Sequence, residues 1–355
     1  MSKLIRIAAA LMIVAALATV VGTAKAPAQP KASKGTIAFL LSGPDLYYQY
    51  GLKGAKAAAT RLGYDFKVYP NPNISPSVEL ANVQNAIAQG SKAITGYSVG
   101  LATESASITA AERANVPMFL IYGYSPKYMD KSNVVGFMQV DVVKYGKELG
   151  NYVRTHAPGG KLAIITGQLG RGDAEGYRTG FLQGLKCKGN LVKGEPPMTC
   201  GKFQYVATET GHWLRPAGLT AAQNIIAKVP DLKILFSEND DMAVGAHTAL
   251  VNAHKDKQVY MVSMNGAPYG IAGLQAGWIK AENTDSPSLE GLNSVRLIDA
   301  YLNQKIDGNK FYLSHTVLAT KAGIRQIVPW NFFTSPALVT KYMRAPLLKP
   351  STPPR

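Results

Sequence analysis

The chain has 355 residues, 46% of them hydrophobic and 17% charged. That is the composition of a globular protein of one to three domains, long enough to bury large cores. The formal charge is +16, yet no dense Lys/Arg run with interleaved aromatics is present. A nucleic-acid surface is therefore disfavoured, and scattered basic side chains would instead favour contact with anionic envelope surfaces.

Residues 1–28 read as a cleavable export signal. Lys3 and Arg6 form a basic start, Ile7 to Val21 an apolar run, and Ala24, Ala26 and Ala28 offer small-residue cleavage sites. The run is too short and its flank too rich in Ala and Pro for a membrane span. These 28 residues hold three cations and no acid, which leaves the remainder near +13.

From Lys34 strand and helix patterns alternate. Strands are predicted at Thr36–Leu41, Phe66–Tyr69, Ala93–Tyr97 and Met118–Tyr122, with helices at Tyr50–Leu62, Pro76–Gln89 and Ala102–Ala114. A second round follows the strand Val134–Val140. It has helices at Val142–His156, Ala174–Leu185 and Leu219–Lys228, and strands at Lys161–Thr166, Phe203–Ala207, Lys233–Phe236 and Val259–Met264. The alternation predicts an α/β fold of two similar doubly wound parallel-sheet domains. Leu289–Leu302 is predicted as a further helix and Lys310–Leu318 as extended chain. Pro329 to Phe333 could pack as an aromatic anchor, and residues 346–355, with Pro350, Pro353 and Pro354, read as a loose tail.

Export makes the two cysteines informative. Cys187 and Cys200 would close a loop of about 14 residues, and in an oxidising compartment they can pair as a disulfide contributing about 3 kcal/mol; two separate thiols are the alternative. The five histidines form no metal-ligand spacing with them, so no metal site is expected. The loop Gly167 to Gly172 lacks the glycine and lysine spacings of a phosphate cradle, and neither an enzyme nor a bound cofactor is expected.

The stretch from Ile234 to Ala246 directs attention to a site. Ile234, Leu235 and Phe236 read as a buried strand, a polar turn follows, and Met242 begins a helix pattern. Strand carboxyl ends face the ligand crevice in open α/β sheets, so Asn239 is either a ligand contact or a turn and cap residue only. Asn239 through Ala246 (Asn-Asp-Asp-Met-Ala-Val-Gly-Ala) resembles a segment of the periplasmic sugar-binding proteins of the ribose and galactose type. Further matches are Tyr47-Tyr48 after the first strand, Leu62-Gly63-Tyr64, Glu79 to Gln84, Ala114 to Pro117, Gly180-Phe181 and Met264 to Pro268. They run in the family's order over roughly Lys34 to Ala319.

The resemblance implies two lobes joined by a three-segment hinge with a ligand cleft between them. The crossings fall near Val140, Asp285–Pro287 and Leu313–Thr316. The N-terminal lobe would be 35–140 plus 287–313, and the C-terminal lobe 141–286 plus 314–345. It further implies a periplasmic location, a sugar or polyol as ligand, an ABC transporter permease as partner and hinge closure without catalysis. A chemoreceptor or sensor domain is an additional candidate partner. By local alignment the ligand-binding positions are Asp45, Tyr47, Tyr48, Trp213, Asn239, Asn265 and Asp285. Tyr97, Tyr122 and Glu175 complete the candidate set. Tyr122-Gly123 stands where the ribose-type pattern has Asp-Arg, and Glu175 where it has Arg, so two arginines that would donate to sugar oxygens are missing. Arg178, Arg215 and His212 lie close enough in sequence to offset some acid. Aromatics plus acids suit a neutral polyhydroxy ligand; a cationic or amino-sugar ligand is the alternative.

Overall fold

A computed structural model describes residues 32–124 and 126–353. The export signal at 1–28 lies outside the described residues. In chain order the elements are β1 (Thr36–Leu41), α1 (Leu46–Leu62), β2 (Asp65–Pro70), α2 (Pro76–Ala88), β3 (Ala93–Tyr97), α3 (Leu101–Arg113), β4 (Met118–Ile121), β5 (Val134–Gln139) and α4 (Val142–His156). Then come β6 (Gly160–Thr166), α5 (Gly172–Gly184), β7 (Met198–Cys200), β8 (Phe203–Thr210), α6 (Arg215–Lys228), β9 (Leu232–Ser237), α7 (Asp240–Asn252) and β10 (Tyr260–Asn265). The chain finishes with α8 (Pro268–Ala276), β11 (Ile279–Thr284), α9 (Pro287–Leu302), β12 (Lys310–Leu313), β13 (Val317–Ala319) and α10 (Pro336–Arg344).

The strands form two sheets. The first has the order β12-β5-β4-β3-β1-β2 and is parallel throughout. The second has the order β13-β11-β10-β9-β6-β8-β7, with only its two edge strands antiparallel. Numbered within each round, both sheets run 2-1-3-4-5, the doubly wound order whose ligand crevice lies at the switch beside the first strand. Cys187 and Cys200 are joined, tying the edge strand β7 to the end of α5.

Short buried strands such as β3 and β4 are covered on both faces. Helices reach the sheets in close pairs. A Cβ on Gly54 of α1 would lie 1.9 Å from the Ser288 carbonyl oxygen of α9, and one on Gly291 of α9 would lie 2.0 Å from the Gly51 carbonyl. Only glycine lets these backbones approach so closely. The second lobe repeats the device in α4 and α5, where Gly146 faces the Tyr177 carbonyl and Gly180 the Val143 carbonyl.

The chain passes between the lobes after Val140, at Asp285 and Ser286, and between β12 and β13. It then departs from the expected course. Residues 314–345 do not all belong to the second lobe: Phe332 and Val339 are buried in the first lobe's core with Leu292 and Val295. The apolar face of α10 finds its uncovered counterpart there. The end is not loose either, because Leu347 and Leu348 pack on that core and the Ser351 N–H donates to the Phe311 carbonyl at 2.8 Å. Four elements, β7, α8, β11 and α10, have no counterpart in the predicted pattern. α1 also begins at Leu46, four residues before its predicted start.

The α1–α9 contact yields a test. Gly54→Ala should destabilise the protein by about 3 kcal/mol, the upper range for overpacking a tight interior. Its urea midpoint would fall, while Gly63→Ala, where a Cβ meets nothing within 4 Å, shows only the smaller strain of a left-handed residue.

Candidate functional site

The loops leaving the carboxyl ends of both sheets meet around one cavity of about 520 Å³, its open mouth included. The first lobe supplies Asp45, Tyr47 and Tyr48 after β1, Tyr97 and Ser98 at the end of β3, and Tyr122 after β4. The second supplies Arg171, Asp173 and Tyr177 around the start of α5, Trp213 after β8, Asn239 after β9 and Asn265 at the end of β10.

Asp45 is the N-cap of α1. Its carboxylate accepts the Tyr47 N–H at 2.7 Å, which starts the helix early and places Tyr47 and Tyr48 in its first turn. Burial pushes the Asp45 carboxyl up to about 6, against the opposing Tyr47 N–H. Tyr47 stands at the middle of an aromatic cluster, with ring centroids 5.8 Å from Tyr97, 6.1 Å from Tyr122 and 6.2 Å from Tyr48. Gly51 makes room for this packing, since a Cβ there would lie 2.2 Å from the Tyr97 hydroxyl.

Asn239 fulfils the cap role and also borders the cavity. Its Oδ1 accepts the Met242 N–H at 2.8 Å, and its Nδ2 donates to the Trp213 carbonyl at 3.1 Å. That bond secures a turn in which both His212 and Trp213 have positive φ. The Trp213 ring lies over Gly167, where any Cβ would come within 1.9 Å of it. The buried Trp213 indole N–H has no partner among the described residues. Asp240, the first residue of α7, accepts the Ser263 hydroxyl at 2.7 Å and the Ala267 N–H at 2.8 Å.

Two expected site residues are not in the wall. Glu175 pairs with Arg178 and accepts the Gly170 N–H. Helical phase explains this: Asp173 and Tyr177 are one turn apart and share the cavity face, whereas Glu175 between them points away. Asp285 is 3% exposed and sits behind the tyrosines. Its Oδ2 accepts the Tyr47 hydroxyl at 3.0 Å and the Tyr122 hydroxyl at 3.3 Å. Glu290 of α9 accepts the same Tyr47 hydroxyl at 2.8 Å and the Ser314 hydroxyl at 2.6 Å. Burial first, and then each other's charge for Glu290, raises both carboxyl pKa values well above the usual range. The phenols of Tyr47, Tyr97, Tyr122 and Tyr177 are also raised by burial and stay neutral donors.

Arg171, Asp173, Tyr177 and Ser98 were not anticipated. Arg171 bonds Asp173 at 2.7 and 3.1 Å, and Tyr48 shares the cavity wall with it from across the cleft. Burial works against its charge, but Asp173 and Tyr48 hold its pKa above the ordinary value. One cation thus returns from a different position. Arg178 and Arg215 do not contribute, being engaged by Glu175 and Asp241. Ser98 is braced from behind by Glu79, which also accepts the Val99 N–H at 2.6 Å. The available signals were the Asp-x-x-x-Tyr spacing after a glycine-rich turn and the buried acid in α2.

Two doubly wound lobes that close on a cavity lined from both sides define a two-lobed ligand-binding protein. Residues 37–306 match the family described as Periplasmic binding protein domain, and the chain belongs to that family. It is 29% identical over 272 residues to the ribose import binding protein RbsB of Escherichia coli (strain K12), covering 76% of this chain and 86% of that protein. It is 26% identical over 275 residues to a D-apiose import binding protein of Paraburkholderia graminis, covering 76% of this chain and 81% of the relative. Among solved structures, a galactofuranose binding protein superposes with TM-score 0.72 at 20% identity, covering 82% of this chain and 96% of that one. An ABC transporter periplasmic solute binding protein from Actinobacillus succinogenes with bound D-allose gives 0.72 at 20% identity, covering 83% and 100%. The two structures establish the shared fold.

Proton linkage gives a direct test. Asp285 and Glu290 have folded-state pKa values raised above their unfolded values near 4. The native state therefore holds more protons between about pH 5 and pH 8, and the stability this provides is present at the acid end and lost as pH rises. The buried Glu79, Glu238, Asp240 and Glu282 are raised too and act in the same direction. The melting temperature should fall from pH 5 to pH 8 in scanning calorimetry, and Glu290→Gln should flatten that slope. A melting temperature that rises over this interval would contradict the assignment.

Proposed function

We propose that this protein captures a neutral sugar or cyclic polyol in the periplasm and delivers it to the permease of an ABC importer. The carrying observation is the make-up of the wall, in which both lobes offer aromatic faces together with hydroxyl-matching polar groups. Rings of Tyr47, Tyr48, Tyr97, Tyr122, Tyr177 and Trp213 suit the apolar C–H faces of a sugar. Asp45 accepts hydroxyl protons, and the unpartnered Trp213 N–H and the Arg171 guanidinium donate to sugar oxygens.

Charge supports a neutral ligand. Arg171 is balanced by Asp173, so a cation would meet a guanidinium in the same wall and an anion would meet Asp45 and Asp173. The import binding proteins it resembles are named for ribose and apiose, which agrees with this class. In this reading Asp285 and Glu290 position Tyr47 and Tyr122 and do not touch the sugar. A ligand that contacts both lobes favours the closed arrangement by its differential affinity for it, and this supplies the signal the permease reads.

The test is a thermal-shift panel of D-ribose, D-allose, D-apiose, L-arabinose, D-galactose and myo-inositol, with glucosamine, choline and ribose 5-phosphate as charged controls. A ligand that binds only the folded state raises the melting temperature with its concentration. Shifts confined to the neutral compounds support the proposal, and shifts confined to the charged controls overturn it. For the leading compound, Trp213→Ala should weaken binding by more than ~1 kcal/mol, the scale of an aromatic contact. Unchanged affinity in titration calorimetry would remove Trp213 from the site.

A further inference from the structure

Beyond residue 306, where the family match ends, the chain passes between the lobes a fourth time. Ile324 and Ile327 pack with Leu274, Ile279 and Ala319 on the second lobe. Val328 and Phe332, immediately after, pack on the core of the first. Trp330 occupies the passage itself and is 3% exposed.

This one side chain grips both lobes. Its indole N–H is shared between the carbonyls of Asp285, at 2.9 Å, and Asn265, at 3.2 Å. Its ring stands perpendicular to Tyr47 with centroids 5.4 Å apart, and lies 5.5 Å from Tyr50. Its own carbonyl accepts the Ser288 hydroxyl of α9. Tyr47 and Asn265 line the ligand cavity from opposite lobes, while Trp330 lies behind both. A rotation that parts the lobes must strip Trp330 of its ring contacts or of its bonds to the second lobe. The latter would leave a buried N–H and the Asp285 carbonyl unpaired, an unfavourable outcome in a dry interior.

We infer that Trp330 is a positioning residue of the ligand site, and that the C-terminal extension is a strap across the hinge that biases the lobes toward closure. Ligand affinity then depends on a segment that contributes nothing to the cavity wall. The role in binding rests on the cleft being the sugar site proposed above. The role in closure does not, because it can be read in the ligand-free protein.

The test compares wild type, Trp330→Phe and Phe333→Ala. Phenylalanine keeps a ring against Tyr47 and Tyr50 but has no N–H for Asp285 and Asn265. Phe333 belongs to the same extension and packs on Tyr50, 5.8 Å away, without reaching the second lobe. Trp330→Phe should enlarge the radius of gyration of the ligand-free protein in X-ray scattering. It should also weaken binding of D-ribose or D-allose, whichever binds wild type, about fivefold, the effect of losing one net hydrogen bond. Phe333→Ala should lower the melting temperature while leaving affinity and radius unchanged. Trp330→Phe with wild-type radius and affinity overturns the inference, as does Phe333→Ala weakening binding equally. If neither of these binds wild type, the leading neutral compound of the panel replaces them; if no neutral compound binds, the sugar reading fails and the scattering comparison alone decides the strap.

Discussion

Carboxyl groups buried away from water must find donors, and in this protein the donors they find are the loops and phenols that form the cleft. Glu79 holds the turn after β3 through the Val99 N–H, Glu238 holds the loop after β6 through the Gly167 N–H at 2.7 Å, and Asp240 holds the loop after β10 through the Ala267 N–H. Asp285 and Glu290 converge on the hydroxyl of Tyr47. Each acid lies behind the cavity wall and each fixes a piece of that wall. An isolated ionised carboxylate would be very unfavourable in such places, so the group either protonates or is surrounded by N–H and O–H donors. The outcome is a cavity wall whose geometry is set by groups that do not themselves line it.

The same constraint explains which parts of the fold were legible in the sequence. Strands such as β1 and β4 are apolar runs covered on both faces, and their pattern is unmistakable. β11 is hidden in the sequence because its buried positions include Glu282 and Asn283, residue types that read as surface. α8 is short and holds Gly270 and Gly273, so it offers little helical signal. The start of α1 was placed late because Tyr47 and Tyr48 look like loop aromatics, whereas the cap is the preceding Asp45. The C-terminal course depended on a docking surface made by α1 and α9, a tertiary fact that no local pattern states.

At the site, most residues tied to strand ends are readable in the sequence, Ser98 after β3 being the exception, and residues tied to helical phase are not. Asp45, Tyr47, Tyr48, Tyr97, Tyr122, Trp213, Asn239 and Asn265 all follow or close a strand, and all line the cavity. Glu175 was singled out by its alignment with a family arginine, but its side chain leaves α5 on the far side from Asp173 and Tyr177. Asp285 was singled out by its place at the hinge, where it does sit, one layer deeper than a contact residue.

Displacement of the arginine has a chemical consequence. A guanidinium at the N-cap position of α5 reaches the cavity from the loop and carries its own acid, Asp173, two residues on. The pair is close to neutral as a unit, so Arg171 can direct N–H groups toward a ligand without imposing a net positive field. It lines the cavity with Tyr48 of the opposite lobe, so the donor that would orient a ligand stands where the lobes approach each other. Affinity and closure therefore meet at this residue: a ligand oxygen held by Arg171 that also contacts Tyr48 joins the two lobes through the ligand itself. A ligand rich in hydroxyls can do so, since each hydroxyl both donates and accepts, and this is the physical sense in which the wall matches a sugar better than a simple ion.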